Sequence, residues 1–198
     1  MLTLYYSPGT CSLSPHIALF EAGLEFDAVK VDLKTKQTAT DENYSKLNPN
    51  GYVPSLVIDG GEVLTEGPAI IQYIADRVPE KKLAPAPASH ERYQLYSWLN
   101  FITAELHKSI GVLFSPAPED YKEVVRDRLV KRLAYVESAL DKRDFLLGER
   151  FSVADGYLFW CLRTWKYLTK RELTANLQAF YDRVAARPSV KSALAAEV

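Results

Sequence analysis

Cysteine and histidine, the residues from which staples and metal centres are made, are scarce in this chain. Its 198 residues include two cysteines, Cys11 and Cys161, and three histidines. The cysteines lie 150 positions apart and match no zinc or dithiol spacing, so both are read as reduced thiols and no metal is expected. An excess of charge of one sign is also missing. With 24 Lys and Arg against 25 Asp and Glu, the formal net charge is −1, which leaves no electrostatic footprint for nucleic acid or an anionic membrane. No run approaches the roughly 20 apolar residues that span a bilayer, and the opening MLTLYYSPG has neither a basic flank nor a long apolar stretch. The expectation is a cytoplasmic protein whose partner is a small molecule, with no nucleic acid and no membrane. A chain of this length buries about 70% of its unfolded surface, enough for a core without staples.

The most informative stretch is YYSPGTCSLSPHIALFEAG, Tyr5 to Gly23. It begins as a strand, breaks at Ser7-Pro8-Gly9 and resumes as an amphipathic helix with Leu13, Ile17 and Phe20 on one face and Gly23 at its end. Two helix starts fit. Ser12 can be the N-cap with Pro15 in the first turn, or Ser14 the N-cap with Pro15 at the first helical position, which respects the bias of a pre-proline residue against helical geometry. In both, Cys11 lies at or just before a helix N-terminus, where unpaired backbone N–H groups favour a thiolate. Its competing use is as a small buried filler.

From Leu2 to about Pro79 strand and helix alternate. LTLYY and the Cys11 helix are followed by FDAVKVDL as a strand, a short helical candidate from Asp41 to Leu47 stopped by Asn48-Pro49-Asn50-Gly51, and a hairpin. The hairpin pairs Ser55–Asp59 with Glu62–Leu64 around Gly60-Gly61, read as a two-residue turn. Pro68 then opens a helix with Ile70, Ile71, Ile74, Ala75 and Val78 on its apolar face. VPEKKLAPAPAS reads as a linker, and beyond it the pattern is helical. The expected division is an α/β domain over 1–80, a linker over 81–88 and an all-helical domain over 89–198. A long helix from about His90 to Phe114 buries Leu95, Leu99, Ile102, Leu106 and Leu113, and carries a second stripe of Tyr96, Asn100, Thr103 and His107 suited either to a wet cleft or to a solvated edge. A packing helix spans about Glu119–Leu140. Ser152 with Asp155 reads as a capping box that starts a nearly all-apolar helix holding Cys161, and Arg187-Pro188 splits the last two helices.

A βαβαββα domain with a cysteine at its first strand-to-helix turn, a Val-Pro before its third strand and an all-helical partner resembles the cytosolic glutathione transferases, and most of all the bacterial beta class. YYSPGTCSLSPHIAL, NPNGYVPSL, TEGPAIIQYIAD, WLNFITAELHK and FSVADGYLF carry the likeness. It implies a thioredoxin-like first domain that binds glutathione as co-substrate. It also implies a cis Val53-Pro54 bond whose Val53 backbone meets the tripeptide, and a helix start at Glu66 and Gly67 facing the γ-glutamyl end. Gly67 stands where many members have Ser, so one side-chain donor is missing. Lys36 matches a basic position that contacts the peptide. Asn100, Glu105 and His107 fall on positions near it, some reached from a second subunit. Tyr6 completes the implied glutathione set, with Cys11 and His107 as catalytic residues. Helix-terminal N–H groups, the Ser12 or Tyr6 hydroxyls and His107 are the donors expected to hold a thiolate. Phe114 and Trp165 are expected to wall an electrophile site, whereas Phe159 suits core packing.

Three activities compete. The first conjugates the glutathione thiolate to small apolar electrophiles, with detoxification as its use and a homodimer as its assembly. The second is glutathione-dependent thiol–disulfide exchange at Cys11. The third is a non-enzymatic binding protein on the same fold, resembling the stringent starvation proteins, which typically lose the glutathione-site residues retained here.

Overall fold

The computed structural model describes residues 1–197. Alternation in Leu2–Tyr6 (β1) buries Leu2, Leu4 and Tyr6, so this strand takes the middle of the sheet. Phe26–Lys30 (β2) pairs with it in parallel, Leu4 opposite Ala28, and Ser55–Val57 (β3) antiparallel on its other side, Leu4 opposite Leu56. Val63–Thr65 (β4) closes the order β2-β1-β3-β4. The hairpin loop has three residues where the sequence suggests two. Ile58 N–H reaches the Glu62 carbonyl (2.9 Å) and Gly61 N–H the Ile58 carbonyl (3.0 Å), with Gly60 and Gly61 at φ +92° and +84°. The expected helix over 41–47 shrinks to one 3₁₀ turn, Tyr44–Lys46, which Asn43 caps through Ser45 N–H (2.9 Å) before Pro49 stops it.

Leu13–Ala22 (α1) starts from Ser12, the first of the two readings. Ser14 stays helical despite preceding a proline because its N–H donates to the Cys11 carbonyl (3.1 Å), and Pro15 falls in the first turn, where a missing N–H costs little. Gly67–Arg77 (α2) buries Ile70, Ile71, Ile74 and Ala75 as its spacing predicts.

Two compact units form, Met1–Ala84 joined by the chain from Arg187 onward, and Pro85–Ala186. The first boundary falls inside the expected linker. The C-terminal stretch, expected with the helical domain, belongs to the α/β unit: Pro188–Ala196 packs on α1 through buried Val190 and Ala193, and Arg187 Nη2 donates to Glu21 Oε2 (2.9 Å).

The second unit holds His90–Phe101 (α3), Lys108–Phe114 (α4), Glu119–Ala139 (α5), Val153–Thr169 (α6) and Ala175–Ala185 (α7); Pro188–Ala196 is α8. The helix expected to run unbroken to Phe114 is interrupted by a π segment, Ile102–His107. Leu95, Leu99, Ile102, Leu106 and Leu113 are buried, as are Val125, Leu129, Leu133 and Val136 of α5. Asp155, in the first turn of α6, has no exposed surface. Its carboxylate accepts Leu146 N–H (2.8 Å), Ser152 N–H (2.7 Å) and Ser152 Oγ–H (2.8 Å), so the capping residue also ties the incoming loop to the helix. Among the described residues no helix is long and apolar enough to cross a membrane.

Candidate active site

The chain leaves β1 at Tyr6 and makes a tight turn before α1. Ser12 Oγ donates to the Ser7 carbonyl and accepts Ser7 N–H, both at 3.1 Å, while Thr10 Oγ1 donates to the same carbonyl at 2.8 Å. Cys11 projects from this turn, half-buried, and its Sγ–H donates to the Val53 carbonyl at 3.5 Å. The Val53-Pro54 bond is cis, as the resemblance implied.

The donors expected for an anion here are mostly committed. Ser12 N–H reaches Thr10 Oγ1 (3.4 Å), Leu13 N–H the Thr10 carbonyl (3.1 Å) and Ser14 N–H the Cys11 carbonyl, and Pro15 has none. The start of α1 therefore offers an anion its aligned peptide dipoles rather than idle N–H groups. The hydroxyls are spent as well. Ser12 is used inside the turn, and the Tyr6 hydroxyl donates to the Ala196 carbonyl (3.3 Å). Burial first, and the Glu197 charge second, hold the Tyr6 phenol above its ordinary pKa.

At the start of α2, Glu66 is exposed and held at φ +68°. Its carbonyl takes Ala69 N–H and Ile70 N–H, both at 3.0 Å. Pro68 has no N–H, so Gly67 supplies the backbone donor left at this helix end. Lys36 is half-buried, with Nζ donating to the Gly51 carbonyl at 2.8 Å; that bond leaves two of its three donors. Gly51 sits at φ +65°, where a side chain would be strained, and a Cβ there would come within 3.2 Å of Lys36 Cε and crowd it.

In the second unit the π segment carries Glu105 and His107. Glu105 Oε2 accepts Arg132 Nε (2.7 Å) and Arg128 Nη2 (2.9 Å) from α5, and these bonds hold its carboxyl below the ordinary range. His107 Nδ1 lies 2.5 Å from the Tyr157 hydroxyl, and its ring stands edge-on to Trp160, centroids 4.6 Å apart. Burial first, and then Lys108, push its pKa down to about 4. At neutral pH His107 is therefore an uncharged imidazole, able to donate one hydrogen bond but not to lend a positive charge to a thiolate. Asn100 is exposed on α3.

Two family models match, the glutathione S-transferase N-terminal domain over residues 9–77 and its C-terminal domain over 104–197. The chain belongs to the glutathione S-transferase family. Glutathione S-transferase GstA of Escherichia coli O157:H7 is 46% identical over 99% of this chain and 98% of its own. Among solved structures, the bacterial transferase BphK, a ternary complex, is 55% identical with a TM-score of 0.95, covering 98% of each chain. The beta-class transferase of Sphingomonas chungbukensis is 44% identical with a TM-score of 0.93, again over 98% of each. The transferase thus stands with the bacterial beta class.

Parts of this transferase's site carry no local sequence signal. Val53 is held by a polar cluster in which the Tyr44 hydroxyl donates to the Tyr52 carbonyl (2.7 Å) and lies 2.6 Å from Ser55 Oγ, while Asn48 Nδ2 donates to the same carbonyl (2.8 Å). NPNG marks a turn there without naming these partners. The expected electrophile wall divides. Phe114 is 59% exposed, but Trp165 is 3% exposed, a core residue of the nearly all-apolar α6, as is the fully buried Phe159; an aromatic so enclosed presents no face to a substrate. Clefts of about 600 and 520 Å³ open along the 30–47 loop, and Cys11 is not among the residues that line these two.

Proposed function

We propose that this transferase conjugates the thiolate of glutathione to small hydrophobic electrophiles, and that Cys11 also forms a mixed disulfide with glutathione. The observation that supports this is the Cys11 sulfur 3.5 Å from the Val53 carbonyl. A cysteinyl peptide paired with the Val53 backbone brings its own sulfur beside that of Cys11. Glu66 then accepts from the γ-glutamyl ammonium, Gly67 N–H meets its carboxylate, and the remaining donors of Lys36 serve the peptide. Pro54 and Tyr6 shape the floor of this site. Roles for Asn100, Glu105, His107 and Phe114 in the same chemistry are carried by the resemblance alone. A sphingomonad glutathione S-transferase, 44% identical over 98% of each chain and with a TM-score of 0.94, was solved complexed with glutathione, which supports glutathione as co-substrate. Cytoplasmic location, a detoxifying use and a homodimer belong to the same reading. A 22.3 kDa species in sedimentation equilibrium at micromolar concentration would refute the dimer.

In conjugation the glutathione sulfur attacks carbon and, with chlorodinitrobenzene, chloride leaves. In exchange the Cys11 thiolate attacks one sulfur of glutathione disulfide and expels the other as glutathione thiolate. The half-exposed Cys11 keeps exchange as the second reading. The test is retention on immobilised glutathione, followed by chlorodinitrobenzene and mixed-disulfide assays on Cys11→Ser. Serine should abolish exchange and lower conjugation by about tenfold, ~1.4 kcal/mol. His107→Ala should lower conjugation in both backgrounds. Equal large losses of both activities in Cys11→Ser would remove the separation of roles, and no retention would point to the non-enzymatic binding protein.

A further inference from the structure

The C-terminal helix of the first unit reaches the turn that carries Cys11 and brings a carboxylate to it. At its start α8 is anchored on α1, where Ser189 Oγ donates to Glu21 Oε1 at 2.5 Å beside the Arg187 pair. At its far end Glu197 turns inward and is only 8% exposed. Its two oxygens serve different partners: Oε2 accepts Gly9 N–H (3.2 Å), and Oε1 lies 3.3 Å from His16 Nδ1. A carboxylate only accepts, so Nδ1 carries the hydrogen. His16 is itself 1% exposed, stacked on Phe20 and packed against Phe26 and Tyr6. Its Nε2 has no hydrogen-bond partner among the described residues. The imidazole is thus held in place by its neighbours, and Glu197 spans from it to Gly9, two residues before Cys11 and at φ +74°.

We propose that Glu197 is a positioning residue for the Cys11 thiol: by bridging Gly9 N–H to His16 Nδ1–H it fixes the backbone of the turn from which Cys11 projects toward the Val53 carbonyl. Burying a carboxylate is unfavourable unless donors meet it, and here both donors act on this turn and the helix that follows it. Gly9 has no side chain to anchor it, and its positive φ belongs to a wide conformational basin. The Ser7, Thr10 and Ser12 bonds tie the turn from within; removing the bridge takes away its tie to the C-terminal segment, and the approach of the sulfur is less closely fixed. The inference rests on Cys11 being the reactive thiol.

The test is the rate of Cys11 alkylation by iodoacetamide from about pH 5 to 10. It is read by peptide mass spectrometry on the full chain and on Glu197→Ala, Glu197→Asp and Glu197→Gln, with Ser189→Ala as a control. Aspartate keeps the charge but is one methylene too short to hold both partners. Glutamine keeps the length, receiving Gly9 N–H on its oxygen and donating its amide to the other tautomer of His16. The rate near pH 7 should change about threefold or more in Ala and Asp, with a displaced profile midpoint, and stay within about 1.5-fold in Gln. Ser189→Ala should lower the melting temperature and leave the profile in place. Profiles of Ala and Asp that superpose on the wild type overturn the proposal, as does an equal displacement in Ser189→Ala. Should Glu197→Ala fail to fold, the contrast between Asp and Gln decides. A wild-type Cys11 no faster than Cys161 would instead sink the reading of Cys11 as the reactive thiol, and this inference with it.

Discussion

Replacing Asp155 with alanine removes the acceptor of two buried N–H groups, Leu146 at 2.8 Å and Ser152 at 2.7 Å, and of the Ser152 hydroxyl. Each N–H left without a partner costs about 1–3 kcal/mol, so the gross loss is about 2–6 kcal/mol. Part returns, because burial penalises the carboxylate itself: desolvation, the leading cause, pushes its pKa from 3.8 up to about 6 against the hydrogen bonds that lower it. The net destabilisation at pH 7 should be about 2–3 kcal/mol, or about 5–10 °C in melting temperature for a chain of this size. Asparagine adds a check on pH. A folded-state pKa raised above the unfolded value contributes stability that is present in full below about 3.8 and lost as pH rises through about 6. Asparagine lacks that contribution. The stability advantage of wild type over Asp155→Asn should therefore be larger at pH 4 than at pH 7, by at most about 3 kcal/mol. Calorimetric melts of the wild type and both variants at the two pH values decide the matter. An alanine variant within a degree or two of wild type, or an advantage that grows toward pH 7, would refute the reasoning.

Glutathione disulfide should modify Cys11 and spare Cys161, which is 1% exposed within α6; equal labelling in peptide mass spectrometry would contradict this. With only three histidines in the chain, NMR titration can follow His107 individually. Its midpoint should lie near 4, and because its folded-state pKa is depressed, its contribution to stability is present above about 6.5 and lost as pH falls toward about 4. A midpoint close to 6.5 would place the ring in water. At Gly67 a Cβ would meet only Pro54 Cγ at 3.9 Å, an ordinary contact. Gly67→Ser should therefore fold normally and tighten glutathione binding by about fivefold to tenfold through one added donor; an unchanged Kd by calorimetry would show that the hydroxyl finds no acceptor in the ligand.

What the sequence determined by itself is what short-range rules can carry. The 3.6-residue period set the buried stripe from Leu95 to Leu113, and the Ser152–Asp155 spacing marked the start of α6. The position of Cys11 between strand and helix followed from the same rules together with the family resemblance. Only the tertiary structure decided which partner each face meets. The hydrogen bonds from Ser189 to Glu21 and between His16 and Glu197 join residues 168 and 181 positions apart, and they place the last helix with the α/β unit although its pattern matches the helices before it. The π segment at 102–107 widens one turn within an otherwise helical pattern, and the commitment of the Tyr6 and Ser12 hydroxyls depends on what lies opposite them. Periodicity specifies a face and a cap specifies an end, but a hydrogen-bond partner far along the chain is chosen by how the elements pack.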